Sequence, residues 1–74
     1  MKRIEVDVKV LNTLGLHARP ASMLVRKANT FVSDITLSGP AGRGTTLKLA
    51  AEGPDADAAS HAIAALFQDK FGEE

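Results

Sequence analysis

The chain has 74 residues, room for one small domain with a core only just large enough, and residues 1–74 are read as that single domain. Nine Lys and Arg balance nine Asp and Glu, so the formal net charge is zero, and the cationic cluster that tight nucleic-acid binding needs is not evident. Cys is absent, which excludes disulfides and thiolate metal sites, and the aromatic residues are three Phe, which leaves little for stacking on bases or sugars.

The opening "MKRIEVDVKV" carries a basic pair, but charges interrupt the apolar residues that follow. It is expected to be neither a signal-peptide core nor a membrane span, and a reducing cytoplasm is the simplest address. Within it "IEVDVKV" alternates, with Ile4, Val6, Val8 and Val10 on one face and Glu5, Asp7 and Lys9 on the other, which predicts a strand with one buried face. "NTLG" breaks the pattern. From Ala18 to Ala28 the period becomes helical, and Ala21, Leu24, Val25 and Ala28 form the apolar stripe. Asn29 and Thr30 end that helix. "FVSDITLS" predicts a second strand with Phe31, Ile35 and Leu37 inward, and "GPAGRG" predicts a loop. "TTLKLAAE" predicts a third strand with Leu47, Leu49 and Ala51 inward. "GPDADAAS" starts a second helix with Pro54 and Asp55 in its first turn. Its stripe is Ala59, Ile63, Leu66, Phe67 and Lys70 or Phe71, and His61 faces solvent.

The order is strand, helix, strand, strand, helix. A right-handed crossover makes the first two strands parallel, and the short loop makes the last two an antiparallel hairpin. The expected fold is therefore α+β, an open-faced two-layer β-α-β-β-α sandwich. Its three-stranded sheet has the order 1-3-2, with both helices on one face.

"LGLHARPA", residues 14–21, sets His17 where the first helix begins. The first N–H groups of a helix lack intrahelical partners, and the aligned peptide dipoles add partial positive charge there, so the place suits an anion. Pro20 fits the first turn, where its missing N–H costs nothing. Arg19 can offer a forked pair of donors to a phosphate or carboxylate, and Gly15 allows a tight backbone approach. The helix end and Arg19 both disfavour a positive charge on the ring, which favours the nucleophilic neutral imidazole and then stabilises negative charge built on it. A histidine that accepts a phosphoryl group wants both properties. The blander alternative is an incidental surface histidine beside a helix cap. A third is a module that holds an anion without covalent transfer.

"GLHARPA", following an alternating strand and opening a helix, closely resembles the active-site signature of HPr, the histidine-containing phosphocarrier family of the bacterial phosphotransferase system. "SDITLS" is similar to that family's second strand, and "TTLKLAAEGPDADAASHAIAAL" resembles its last strand and last helix. The resemblance implies that His17 carries the phosphoryl group on Nδ1 and that Arg19 stabilises it. It implies that Gly15, Leu16, Ala18 and Pro20 set the motif's geometry. Met23, off the main stripe, is either a partner contact or a filler at the core's edge. The implied function is relay of a phosphoryl group from enzyme I to sugar-specific IIA proteins, by a covalent carrier that needs no cofactor or metal.

The sequence departs from the family between the second strand and the last. HPr proteins carry a short strand and a middle helix there, whereas "GPAGRG" joins "SDITLS" directly to "TTLKLAAEG". The helix's regulatory serine has no counterpart, and Ser38 is not given that role. The loss is expected to uncover Leu37 and Leu47, to weaken docking of enzyme I and IIA proteins, and to bare one edge of the second strand. A monomer is expected, with that edge open to pairing with a second copy. The alternative function is an engineered or degenerate HPr-like scaffold without efficient phosphotransfer. "GPAGRG" lacks the Lys-Ser/Thr ending of a phosphate-binding P-loop and reads as a hairpin linker with Arg43 in solvent. His17 and His61 lack a third partner for zinc.

Overall fold

The structure, a computed structural model, describes residues 2–11, 15–40 and 42–72. The "NTL" of the break after the first strand, Ala41 of the Gly-rich loop and the closing Glu73 and Glu74 lie outside the described residues. The elements are β1 (Arg3–Lys9), α1 (Ala18–Ala28), β2 (Asp34–Ser38), β3 (Thr46–Glu52) and α2 (Ala56–Gln68), with a short turn at Lys70–Gly72. The sheet order is β1-β3-β2, and β3 runs antiparallel to both neighbours, so β1 and β2 are parallel to each other, as expected.

Alternation along the strands puts Val8, Leu47 and Leu49 on the helix side, where they join Val10, Leu24 of α1 and Ile63 and Phe67 of α2 in one core. Each such side chain contributes roughly 1.5–3 kcal/mol by leaving water. A second cluster, Ala51, Ala56 and Ala59, lies where α2 begins, packed by Ile4, Phe31 and Ile35. Its small side chains let the start of α2 sit close against β3. On the opposite, wet face, Arg3 Nη2 lies 2.8 Å from Glu5, Arg3 Nη1 lies 3.3 Å from Glu52, and Lys48 reaches Glu5 at 3.8 Å. The Arg3 hydrogen bond lowers the Glu5 pKa below its ordinary value. These pairs are about half exposed and screened by solvent, so they contribute little to stability.

The structure departs from the sequence expectations at several places. Residues 31–33 are bent rather than part of β2, because the N–H groups of Val32 and Ser33 donate to the Asp55 carboxylate at 3.0 and 2.9 Å instead of to a strand. Asp55 occupies the N-cap position of α2 but makes no capping bond to its own helix. Its carboxylate is committed to a different loop. Leu47 keeps its cover, at 3% exposure, and only Leu37 is left half-buried. Val6, on the inner side of β1, is 37% exposed. In α1, Leu24 is buried and Ala28 half-buried, but Ala21 is exposed and Val25 is 60% exposed. Half of the predicted stripe thus has no cover among the described residues.

Phe71 reaches the core by a route that helical periodicity does not describe. The α-helix stops at Gln68, and Lys70 and Phe71 then adopt φ of 55° and 54°. Left-handed backbone costs a non-glycine residue roughly 1–2 kcal/mol. In return the Phe71 ring is wholly buried and meets Phe67 edge-on, with centroids 4.9 Å apart and planes at 70°. Burial of about 2–3 kcal/mol and an edge contact of about 0.5–1.5 kcal/mol outweigh the strain at that residue.

Candidate functional site

His17 stands between two anchors. Leu16 on its N-terminal side is half-buried and packed on the main core, and Pro20 in the first turn of α1 is fully buried. Gly15, also buried, takes φ +68°, the left-handed region that glycine enters without strain. With Gly15, Leu16 and Pro20 held inside, residues 17–19 are the part of the segment that faces outward. His17 is half-buried, and Ala18 and Arg19 are exposed.

The backbone of His17 is extended, φ −87° and ψ −167°, so it is the N-cap of α1. Its carbonyl accepts from Ala21 N–H at 3.1 Å, and its ring makes no capping hydrogen bond to the helix. The helix it opens has no acidic residue in its first turn, while Arg26 and Lys27 sit at the negative end of the dipole. The other helix is arranged differently, with Asp55 at the cap and Asp57 in the first turn. Carboxylates therefore already stand at the positive end of α2, and none stands in the first turn of α1. An anion at the start of α1 meets the positive end of the helix dipole with no first-turn carboxylate to repel it.

The remaining candidates fall elsewhere. Met23 is half-buried and packed on the core, and it borders a shallow recess between the helices with Arg26, Lys27, Thr30 and Leu66. Arg43 is exposed in the loop between β2 and β3, and His61 is exposed on α2, as expected. Among the described residues no group of three or more His, Asp or Glu is placed to hold a metal ion. No helix among them is long and apolar enough to cross a membrane.

Fold and site together define an open-faced α+β sandwich that presents a histidine at the start of a helix. The family model described as the PTS HPr component phosphorylation site matches residues 4–43. The phosphocarrier protein HPr of Treponema pallidum is 43% identical over 83 residues, covering 90% of this chain and 94% of that protein. The phosphocarrier protein NPr of Shewanella violacea is 38% identical over 89 residues, covering 99% of this chain and 98% of its own. The crystal structure of an HPr from Thermoanaerobacter tengcongensis superposes with a TM-score of 0.89 at 36% identity, covering 100% of this chain and 99% of that one. This chain belongs to the HPr family of phosphocarriers of the phosphotransferase system. The Treponema alignment takes in 90% of a 74-residue chain, so about 16 of its 83 positions have no residue of this chain opposite them. The family match ends at residue 43, inside the β2–β3 loop.

Proposed function

We propose that this chain, acting as one domain, relays a phosphoryl group through His17, from phospho-enzyme I to IIA proteins of the phosphotransferase system, in the cytoplasm. The ring of His17 supplies a lone pair to the phosphorus, and the bond between phosphorus and the donor breaks as the new N–P bond forms. The same exchange toward an acceptor restores the imidazole. The family resemblance assigns the bond to Nδ1. Arg19 and the positive end of α1 balance the added negative charge, and Gly15, Leu16 and Pro20 fix where the ring stands. Ala18 and the half-buried Met23 belong to the surface that a partner meets.

The observation that carries this reading is the placement of an anchored histidine at a helix start whose first turn holds no acid. The test is incubation with phosphoenolpyruvate, magnesium and enzyme I, then intact-mass analysis at neutral to alkaline pH. One added phosphoryl group is expected, and none in His17→Ala. A folded chain that gains no mass, or a His17→Ala variant that still gains it, overturns the assignment.

A further inference from the structure

The β2–β3 loop reaches the start of the segment that carries His17. β1 ends at Lys9, opposite Thr46 at the start of β3, and β2 ends at Ser38, opposite Lys48. The loop and the exit from β1 therefore share one end of the sheet. There the bonding continues beyond the strands: Val10 N–H donates to the Thr45 carbonyl at 2.9 Å, and Gly44 N–H donates to the Val10 carbonyl at 2.7 Å. Both polar groups of the Val10 backbone are thus held by the loop, while its side chain is buried in the main core. Thr45 in turn closes the loop on itself. Its N–H donates to the Gly42 carbonyl at 3.2 Å, and the hydroxyl of this half-buried residue shares its proton between the carbonyls of Gly42 and Pro40. Arg43 is in none of these bonds.

We propose that Thr45 is a positioning residue for phosphoryl transfer, acting through the loop and Val10; the proposal rests on the reading of His17 as the carrier. The segment between β1 and α1 has two ends. Leu16 and Pro20 anchor the end next to the ring, and Val10 is where the chain enters. The entry is only as steady as the loop that holds it. That loop is rich in glycine, which loses the most conformational freedom on being ordered. A threonine hydroxyl bonded to nearby carbonyls offsets this locally, because it ties the loop's start to its end. Such steadiness matters to transfer more than to folding, since a displacement of about 1 Å at a reacting atom can cost on the order of a hundredfold in rate.

The test compares Thr45→Val, which keeps the shape and removes the hydroxyl, with Thr45→Ser, which keeps the hydroxyl. Ser33→Ala is the control, because it also deletes a hydroxyl hydrogen bond, to Asp55, beyond the opposite end of the sheet. All are measured where denaturation curves show each chain fully folded. Thr45→Val is expected to shift the ring proton NMR signals of His17 and to leave those of His61 in place. It is also expected to lower the maximal rate of phosphorylation by enzyme I severalfold, at an unchanged half-saturating concentration of the chain. Thr45→Ser is expected to restore both, and Ser33→Ala to lose stability and change neither. A Thr45→Val variant that only loses stability overturns the proposal. So does a Ser33→Ala variant that disturbs His17 as much, or a Thr45→Ser variant that restores nothing. A wild-type chain that gains no phosphoryl group overturns the carrier reading and this proposal with it. Unmoved His17 signals in Thr45→Val, beside a wild type that is phosphorylated, overturn this proposal alone.

Discussion

Asp55 holds Ser33 twice, accepting from its N–H at 2.9 Å and from its Oγ at 2.5 Å. The same carboxylate accepts from Val32 N–H at 3.0 Å, so the cap position of α2 is tied to the bend between α1 and β2. Bonds that favour the ionised carboxylate lower the Asp55 pKa, with the Ser33 hydroxyl the largest cause and Val32 N–H the next. A depressed folded-state value means that the contribution is present above the unfolded-state pKa, near 4, and is lost as pH falls through the folded value. Thermal unfolding followed from neutral to strongly acidic pH is expected to show a loss of stability below about pH 4. In Asp55→Asn the midpoint at neutral pH is expected to fall and the acid-dependent part of the loss to shrink.

Gly53 faces the same residue from the other side. Its φ is +150°, and a Cβ built there would lie 2.6 Å from Ser33 Oγ and 2.7 Å from Ser33 Cα. Backbone cannot yield as a side chain can, so Gly53→Ala is expected to destabilise by roughly 1–3 kcal/mol through strain. Chemical denaturation would measure it. A loss of a few tenths of a kcal/mol would show that the junction opens easily.

Two opposite outcomes are expected at the end of α2. Phe71→Ala removes a wholly buried ring and its edge contact with Phe67, and should cost about 3–5 kcal/mol. Lys70→Gly, one residue earlier and exposed, relieves a left-handed φ of 55° and should stabilise by about 0.5–1 kcal/mol. The gain is less than the full left-handed penalty because glycine also loosens the unfolded chain. Denaturant midpoints of the two variants check both signs.

At the helix start, Arg19→Ala is expected to slow phosphorylation of the chain by on the order of tenfold or more, since a charge-assisted donor to the phosphoryl group is lost. Arg43→Ala removes the same charge from the loop between β2 and β3 and is expected to have little effect. Initial rates with enzyme I and phosphoenolpyruvate compare them. Equal slowing would mean that overall charge matters more than position.

The elements, the sheet order and the placing of His17, Arg19 and Pro20 are legible in the sequence because each rests on short-range rules: alternation, helical period and the chemistry of a helix start. What the sequence hides is long-range. Asp55 reads as a residue of its own helix's first turn, since nothing local says that Val32 and Ser33 stand opposite. Phe71 reads as the next position of a stripe, but the chain reverses handedness to deliver it. The stripe Ala21, Leu24, Val25 and Ala28 reads as wholly buried, yet its cover depends on what packs beside α1, which periodicity within α1 does not encode.

The central position of β3 also sets an order of events when the chain folds. The partners of β2 lie close by in sequence, with Ser38 opposite Lys48, whereas β1 pairs Arg3 with Glu52. A hairpin of β2 and β3 closes a short loop, while pairing of β1 with β3 closes one that spans most of the chain. During synthesis no part of the sheet can be completed until the segment ending at Glu52 has left the ribosome. Until then the apolar face of β1 and the segment that carries His17 emerge without the strand that pairs with β1, so the β2–β3 hairpin is expected to form before β1 joins it, an order that φ-values in the two strand pairs would test.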